Sequence, residues 1–146
     1  MVAVTFDGDA LEHAKAELQA DKEVVLAAVT HAGYALDLAS KKLQADKEVV
    51  MAAVSNYGKA LRDAADPLRL DKDVVMAAVC SCWDAFAYAH KELQCDVSFI
   101  RTLMDVLPMD ETMVLQLTLL SGKSCCCLLH AEYGTRYDVL ERSAEL

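Results

Sequence analysis

Six cysteines, four histidines and one Ser-Gly-Lys-Ser tetrapeptide are the residues of this 146-residue chain whose chemistry could amount to catalysis or metal binding. Their spacing argues against both. Cys80 and Cys82 stand two apart, which on a helix turns their thiols about 200° away from each other. Cys125, Cys126 and Cys127 are adjacent, so regular structure cannot aim all three at one ion, and no Cys-x-x-Cys pair is present. Ser121-Gly122-Lys123-Ser124 ends like a phosphate-binding loop, yet that motif needs glycine at 117, where Leu117 stands. The histidines bring no evident partners for a nucleophilic triad. No catalytic, cofactor-binding or metal-ligating residue is therefore expected. The alternative of another class is a thiol-based redox or enzymatic role for Cys80, Cys82 or the cluster at 125–127.

The elements that position these residues are repeats. "DKEVVLAAV" at 21–29 returns as "DKEVVMAAV" at 46–54 and "DKDVVMAAV" at 71–79, a period of 25. In rows of that length Gly33 falls on Gly58, Ala35-Leu36 on Ala60-Leu61, Ala39 on Ala64 and Leu43 on Leu68, and the first two full units agree at 13 of 25 positions. The third unit keeps the scheme with Ala85, Phe86, Ala89 and Leu93, while residues 1–20 supply half a unit through Leu11, Ala14 and Leu18. Asp21, Asp46 and Asp71 suit the N-cap of a first helix, whose apolar stripe is Val24, Val25, Ala28 and Val29. Gly33 and Gly58 suit a left-handed turn that ends it. Ala35, Leu36, Ala39 and Leu43 predict one face of a second helix, with Lys41 and Lys42 near its negative end. One such unit buries too few apolar side chains to offset the ordering of 25 residues, so units must share faces, and the repeated phrase is interface.

In this frame Cys80 replaces Thr30 and Ser55, and Cys95 replaces Ala45 and Leu70, so these thiols read as small buried or half-buried side chains. His31 matches Asn56 and Ser81, and His90 matches Ser40 and Ala65, which predicts surface histidines.

The stretch "ADKEVVLAAVTHAGYALDLASKKLQADKEVVMAAVSNYGKAL" resembles the repeats of the domain of unknown function 4116 family, with its D-K-E-V-V-x-A-A-V opening, glycine turn, A-L pair and closing L-Q-x-D. The resemblance covers roughly residues 10–95. It implies a small all-helical repeat, often in tandem, mostly in unicellular eukaryotes including algae, and no established activity. Trp83 departs from the pattern by filling the glycine slot.

Beyond residue 95 the repeat decays. Asp96 still falls on the capping slot and Phe99, Ile100, Leu103 and Met104 on the apolar stripe, so 96–107 reads as a further first helix that caps the array, ended by Pro108. Leu115, Leu117 and Leu119 alternate with Gln116 and Thr118, Ser121-Gly122-Lys123 suits a hairpin turn, and Thr135 opens a helix. Residues 113–146 so read as a β-hairpin plus helix, similar to the first half of a ubiquitin-like β-grasp fold. The alternative is a fifth, degenerate repeat helix carrying Cys125, Cys126 and Leu129. The expected fold class is mainly α: tandem helix-turn-helix repeats, an α-solenoid over 1–107, then a degenerate or partial ubiquitin-like segment over 108–146.

Composition narrows the partners. The net charge of −9, from 23 acidic against 14 basic residues, with no basic run longer than Lys41-Lys42, disfavours nucleic acid. The apolar runs are far shorter than the ~18–20 residues that span a bilayer, and the acidic opening "MVAVTFDGDALEHA" is unlike a secretory leader or a transit peptide. Free thiols in a reducing compartment are expected, whether cytoplasm, nucleus or organelle interior. What distinguishes the units is a set of slots that packing does not dictate: Tyr34, Lys59 and Asp84; Ala32, Tyr57 and Cys82; Leu38, Asp63 and Tyr88. Aromatic residues are enriched at interfaces, which makes Tyr34, Tyr57, Trp83 and Tyr88, with His31 and Asn56 beside them, the candidate protein-binding residues. The expected function is a non-enzymatic protein-interaction module or scaffold; an alternative is a small extrinsic subunit or assembly factor of a larger organellar or photosynthetic complex.

Overall fold

Each repeat begins with an aspartate that satisfies the open amides of a helix. In the computed structural model, which describes residues 11–107, Asp21 accepts from the amides of Glu23 and Val24 at 2.9 and 3.3 Å. Asp46 and Asp71 do the same for Glu48 and Val49 and for Asp73 and Val74. Three ten-residue helices follow, α2 (Lys22–His31), α3 (Lys47–Asn56) and α5 (Lys72–Ser81), each preceded by a short helical turn: α1 (Ala16–Gln19), Leu43–Ala45 and α4 (Asp66–Arg69). Val24, Val25, Ala28, Val29 and their equivalents in α3 and α5 are buried, and α3 packs against both α2 and α5. The apolar stripe read from the repeat is thus the core.

The chain divides into two compact units at His90 and Lys91, and the three repeat rows up to His90 belong to the first. The described part of the second comprises α6 (Lys91–Gln94) and α7 (Val97–Val106). Asp96 caps α7 through the amides of Ser98 and Phe99, and Phe99, Ile100 and Leu103 are buried. An α-helix is present where 96–107 was expected to form one. All elements of the described residues are helical; the hairpin, the β-grasp segment and the degenerate fifth helix of 113–146 lie outside them, as do residues 1–10.

Two local expectations are corrected. The long helices do not end on a left-handed glycine: Ala32, Tyr57 and Cys82 terminate them with negative φ, each amide still donating to the fourth carbonyl before it. Gly33 and Gly58 come one residue later, without a positive φ, and are needed for space. A Cβ on Gly33 would lie 2.5 Å from the Ala53 carbonyl oxygen and 2.6 Å from the Tyr57 Cβ, and one on Gly58 would strike the Ala78 carbonyl. Trp83, in the same slot of the third row, opens a helix of the same kind as the glycines do.

The second helix is not one continuous α-helix either. Gly33–Leu38, Gly58–Asp63 and Trp83–Tyr88 are 3₁₀ helices of six residues, long for this type. Ala39, Ala64 and Ala89 then turn extended. The break frees the next amide to reach the neighbouring row: Ser40 donates to the Gln19 carbonyl, Ala65 to Gln44 and His90 to Arg69, each at 2.9 Å. A further intrahelical bond is exchanged for one between rows, three times over. Lys41 consequently stands in the short turn, donating to the Gln44 side chain at 2.9 Å, and not at a helix end. Leu11, in the half unit, is buried in the slot of Leu36 and Leu61, whereas Leu18 is exposed.

Candidate functional site

The long helices run parallel, which gives the first unit two chemically distinct edges. At the N-terminal edge Lys22 reaches the cap of the next row, Asp46, at 2.8 Å and Glu48 at 2.8 Å. Lys47 repeats this with Asp71 at 2.7 Å and Asp73 at 3.3 Å. The lysine hydrogen bonds hold Asp46 and Asp71 below the usual carboxylate range, and the carboxylates raise Lys22 and Lys47 in turn. The D-K-E phrase is therefore a device between rows as well as a cap: aspartate closes its own helix and receives the lysine of the row before.

At the opposite edge the rows are joined by side chains of the last helical turn. Asn56 donates through Nδ2 to the Thr30 carbonyl at 2.6 Å, and the Gly58 amide donates to Ser81 Oγ at 3.2 Å. Tyr57 lies against Gly33, so it neighbours Tyr34, and these two tyrosines are 42% and 47% exposed. His31 is exposed beside them, its Nδ1 3.2 Å from the Ala27 carbonyl. In the slot of Tyr34 the next rows carry Lys59 and Asp84, paired at 3.0 Å; that carboxylate, with smaller contributions from Cys82 and Tyr57, raises the Lys59 pKa.

Of the six residues singled out in the sequence, His31, Tyr34, Asn56 and Tyr57 meet at this edge. Trp83 follows in the third row but is half-buried, its ring stacked on Phe86 with centroids 6.0 Å apart and planes 23° apart. Tyr88 is also half-buried, at the far end of its 3₁₀ helix, where its carbonyl accepts from Arg69 Nε at 2.7 Å. It stands apart from the other five.

A polar cleft of about 420 Å³ opens between the first two full rows, lined by Asp37, Lys41, Gln44, Arg62, Asp63 and Asp66. Sequence reasoning passed over it, although the charge differences between Asp37 and Arg62 and between Lys41 and Asp66 were visible in the aligned rows. Its charges meet one another: Arg62 Nε lies 3.1 Å from Asp63 Oδ1, and Asp66 receives Arg69 at 3.3 Å. Gln44, buried at the cleft floor, donates to the carbonyls of Leu36 and Asp37 at 3.0 and 3.2 Å. Lys41, by contrast, bonds the neutral Gln44 side chain.

The thiols are placed differently from expectation. Cys80 and Cys95 are exposed and Cys82 half-buried, all three free. Position 80 follows the inward Val79 by one residue, a rotation of about 100° that carries it outward, as it carries Thr30 and Ser55, which are also exposed. Among the described residues no group of three or more His, Cys, Asp or Glu side chains could hold a metal ion, and no helix is long and apolar enough to cross a membrane.

The repeat architecture agrees with the comparison to known families. A family model described as Domain of unknown function (DUF4116) matches residues 1–44 and 46–94. The chain belongs to this family. The two DUF4116 segments meet at Ala45, the boundary between rows, and 46–94 holds nearly two rows, so the family's module corresponds to a pair of them. The match ends at Gln94 and lends no support to the ubiquitin-like resemblance beyond it. No curated protein and no solved structure matches the chain.

Proposed function

We propose that the DUF4116 rows form a non-enzymatic protein-interaction module whose docking face is the C-terminal edge of α2 and α3. The observation that carries this reading is the exposure of both Tyr34 and Tyr57, the latter packed against Gly33, in rows whose other large apolar side chains are mostly buried. Tyrosine contributes broad contact area at low entropic cost, and truncating such anchors costs binding more than truncating their surroundings. At this edge the rows are tied by Asn56, which donates to the Thr30 carbonyl, and by the Gly58 amide, which donates to Ser81 Oγ.

The test is affinity purification from the native source, comparing the wild type with a Tyr34→Ala/Tyr57→Ala variant whose helical circular dichroism is unchanged. Loss of captured partners corresponding to at least about 1 kcal/mol per tyrosine is expected. Full retention by the variant would move the docking face elsewhere. Capture at fixed stoichiometry marks a subunit of a larger assembly, and exchange among several clients marks an adaptor.

A further inference from the structure

Three ten-residue helices pointing the same way bring three negative dipole ends to one edge. Globular proteins commonly place Lys or Arg in the last turn to offset such an end. Here the last turns of α3 and α5 contain no basic residue and that of α2 contains only His31. Lys22 and Lys47 are instead at the N-terminal edge, each already held by two carboxylates. The helix dipoles therefore favour positive charge at this edge, within a chain of net charge −9, and Tyr34 and Tyr57, both exposed, follow closely after α2 and α3. Aromatic faces attract an ammonium or guanidinium placed over them.

The charged side chains at this edge fit the same picture. Lys59 is paired with Asp84 at 3.0 Å. The protein's own ammonium therefore already occupies the slot one row beyond Tyr34, while in the first row that slot is filled by an aromatic ring.

From this we infer that the edge recognises a basic peptide segment, with a Lys or Arg head group seated over Tyr34 and Tyr57 and facing the C-terminal ends of α2 and α3. The inference rests on the edge being the docking face. An acidic segment or a nucleic-acid backbone would meet repulsion from the helix ends and from the net charge.

The experiment uses the full chain and three fluorescein-labelled heptapeptides: Gly-Arg-Gly-Lys-Gly-Arg-Gly, a counterpart with Glu at the three charged positions, and one with Ser there. Anisotropy titrations are paired with amide chemical-shift mapping. The basic peptide is expected to bind best, to weaken with added salt, and to perturb the amides of residues 31–34 and 56–58. Tyr34→Leu/Tyr57→Leu, which keeps apolar area but removes the rings, is expected to weaken it about fivefold. Tyr34→Phe/Tyr57→Phe is expected to bind like the wild type. Equal affinity for all three peptides, an unchanged affinity in the Leu variant, or shifts confined to other surfaces would overturn the proposal. If the Ala variant meanwhile still loses its native partners, the docking face stands and only the basic character of its ligand falls.

Discussion

A single atom decides what Gly58 is for. The aligned rows mark position 58 as glycine, and the ordinary reason at a helix end is a left-handed backbone. The structure gives another: there is no room for a Cβ beneath the Ala78 carbonyl of the following row, with the Cys82 Cβ at 3.0 Å on the other side. Gly58→Ala is therefore expected to destabilise the fold by about 1–3 kcal/mol, as overpacking does, read as a lower urea midpoint. A left-handed role would have made the penalty depend on backbone strain, which is absent. The slot was legible in the sequence because identity at a fixed spacing survives without structure; its cause was not, because a close approach between rows leaves no mark in local propensity. Gln44 gives the same lesson from the other side. A glutamine at the end of a unit carries no such mark, yet its amide is buried and donates to the carbonyls of Leu36 and Asp37.

Among the elements, the long helices were readable from cap and stripe together, since Asp21, Asp46 and Asp71 each stand three residues before a buried valine. The 3₁₀ segments were not, because Ala35, Leu36, Ala39 and Leu43 fit an α-helical face on paper, and the break at Ala39 goes with a bond to another row, from the Ser40 amide to Gln19. The caps make two separable contributions. Asp46→Ala removes both the cap of α3 and the receiver of Lys22, and is expected to cost about 1–2 kcal/mol. Asp46→Asn keeps the cap and loses only the ion pair, so it is expected to cost less, and 1 M salt should shrink the difference between wild type and the Asn variant. The pH profile follows from the same pairs. Asp46 and Asp71 are lowered from 3.8, so their stabilisation is complete above that value and is lost as pH falls through the lower folded value. Lys22 and Lys47 are raised from 10.5, so their share is complete below 10.5 and is lost as pH rises through the higher folded value. Thermal melts across pH should show a plateau between those limits, and the acid shoulder should be smaller in Asp46→Asn.

Across the described rows, the period is the fold. Excising residues 46–70 joins Ala45 to Asp71 and leaves every slot in register, so the shortened chain is expected to unfold cooperatively at a lower urea midpoint, as nearest-neighbour arrays do. Excising 46–69 leaves one residue too many and misplaces both cap and glycine; a much larger loss of helical signal is expected by circular dichroism. The number of rows could be read directly from the sequence. The grouping of Tyr34, Tyr57, His31 and Asn56 was not legible, because it depends on parallel helices bringing positions one repeat apart together, and Tyr88 lies at the other end of its 3₁₀ helix.

The amides of Ser40, Ala65 and His90 grip the preceding row through carbonyl oxygens alone. A joint made of backbone is indifferent to which side chains surround it. Duplicating 25 codons would therefore add a row with its seam already built, and lineages can lengthen such a protein while its outer residues drift.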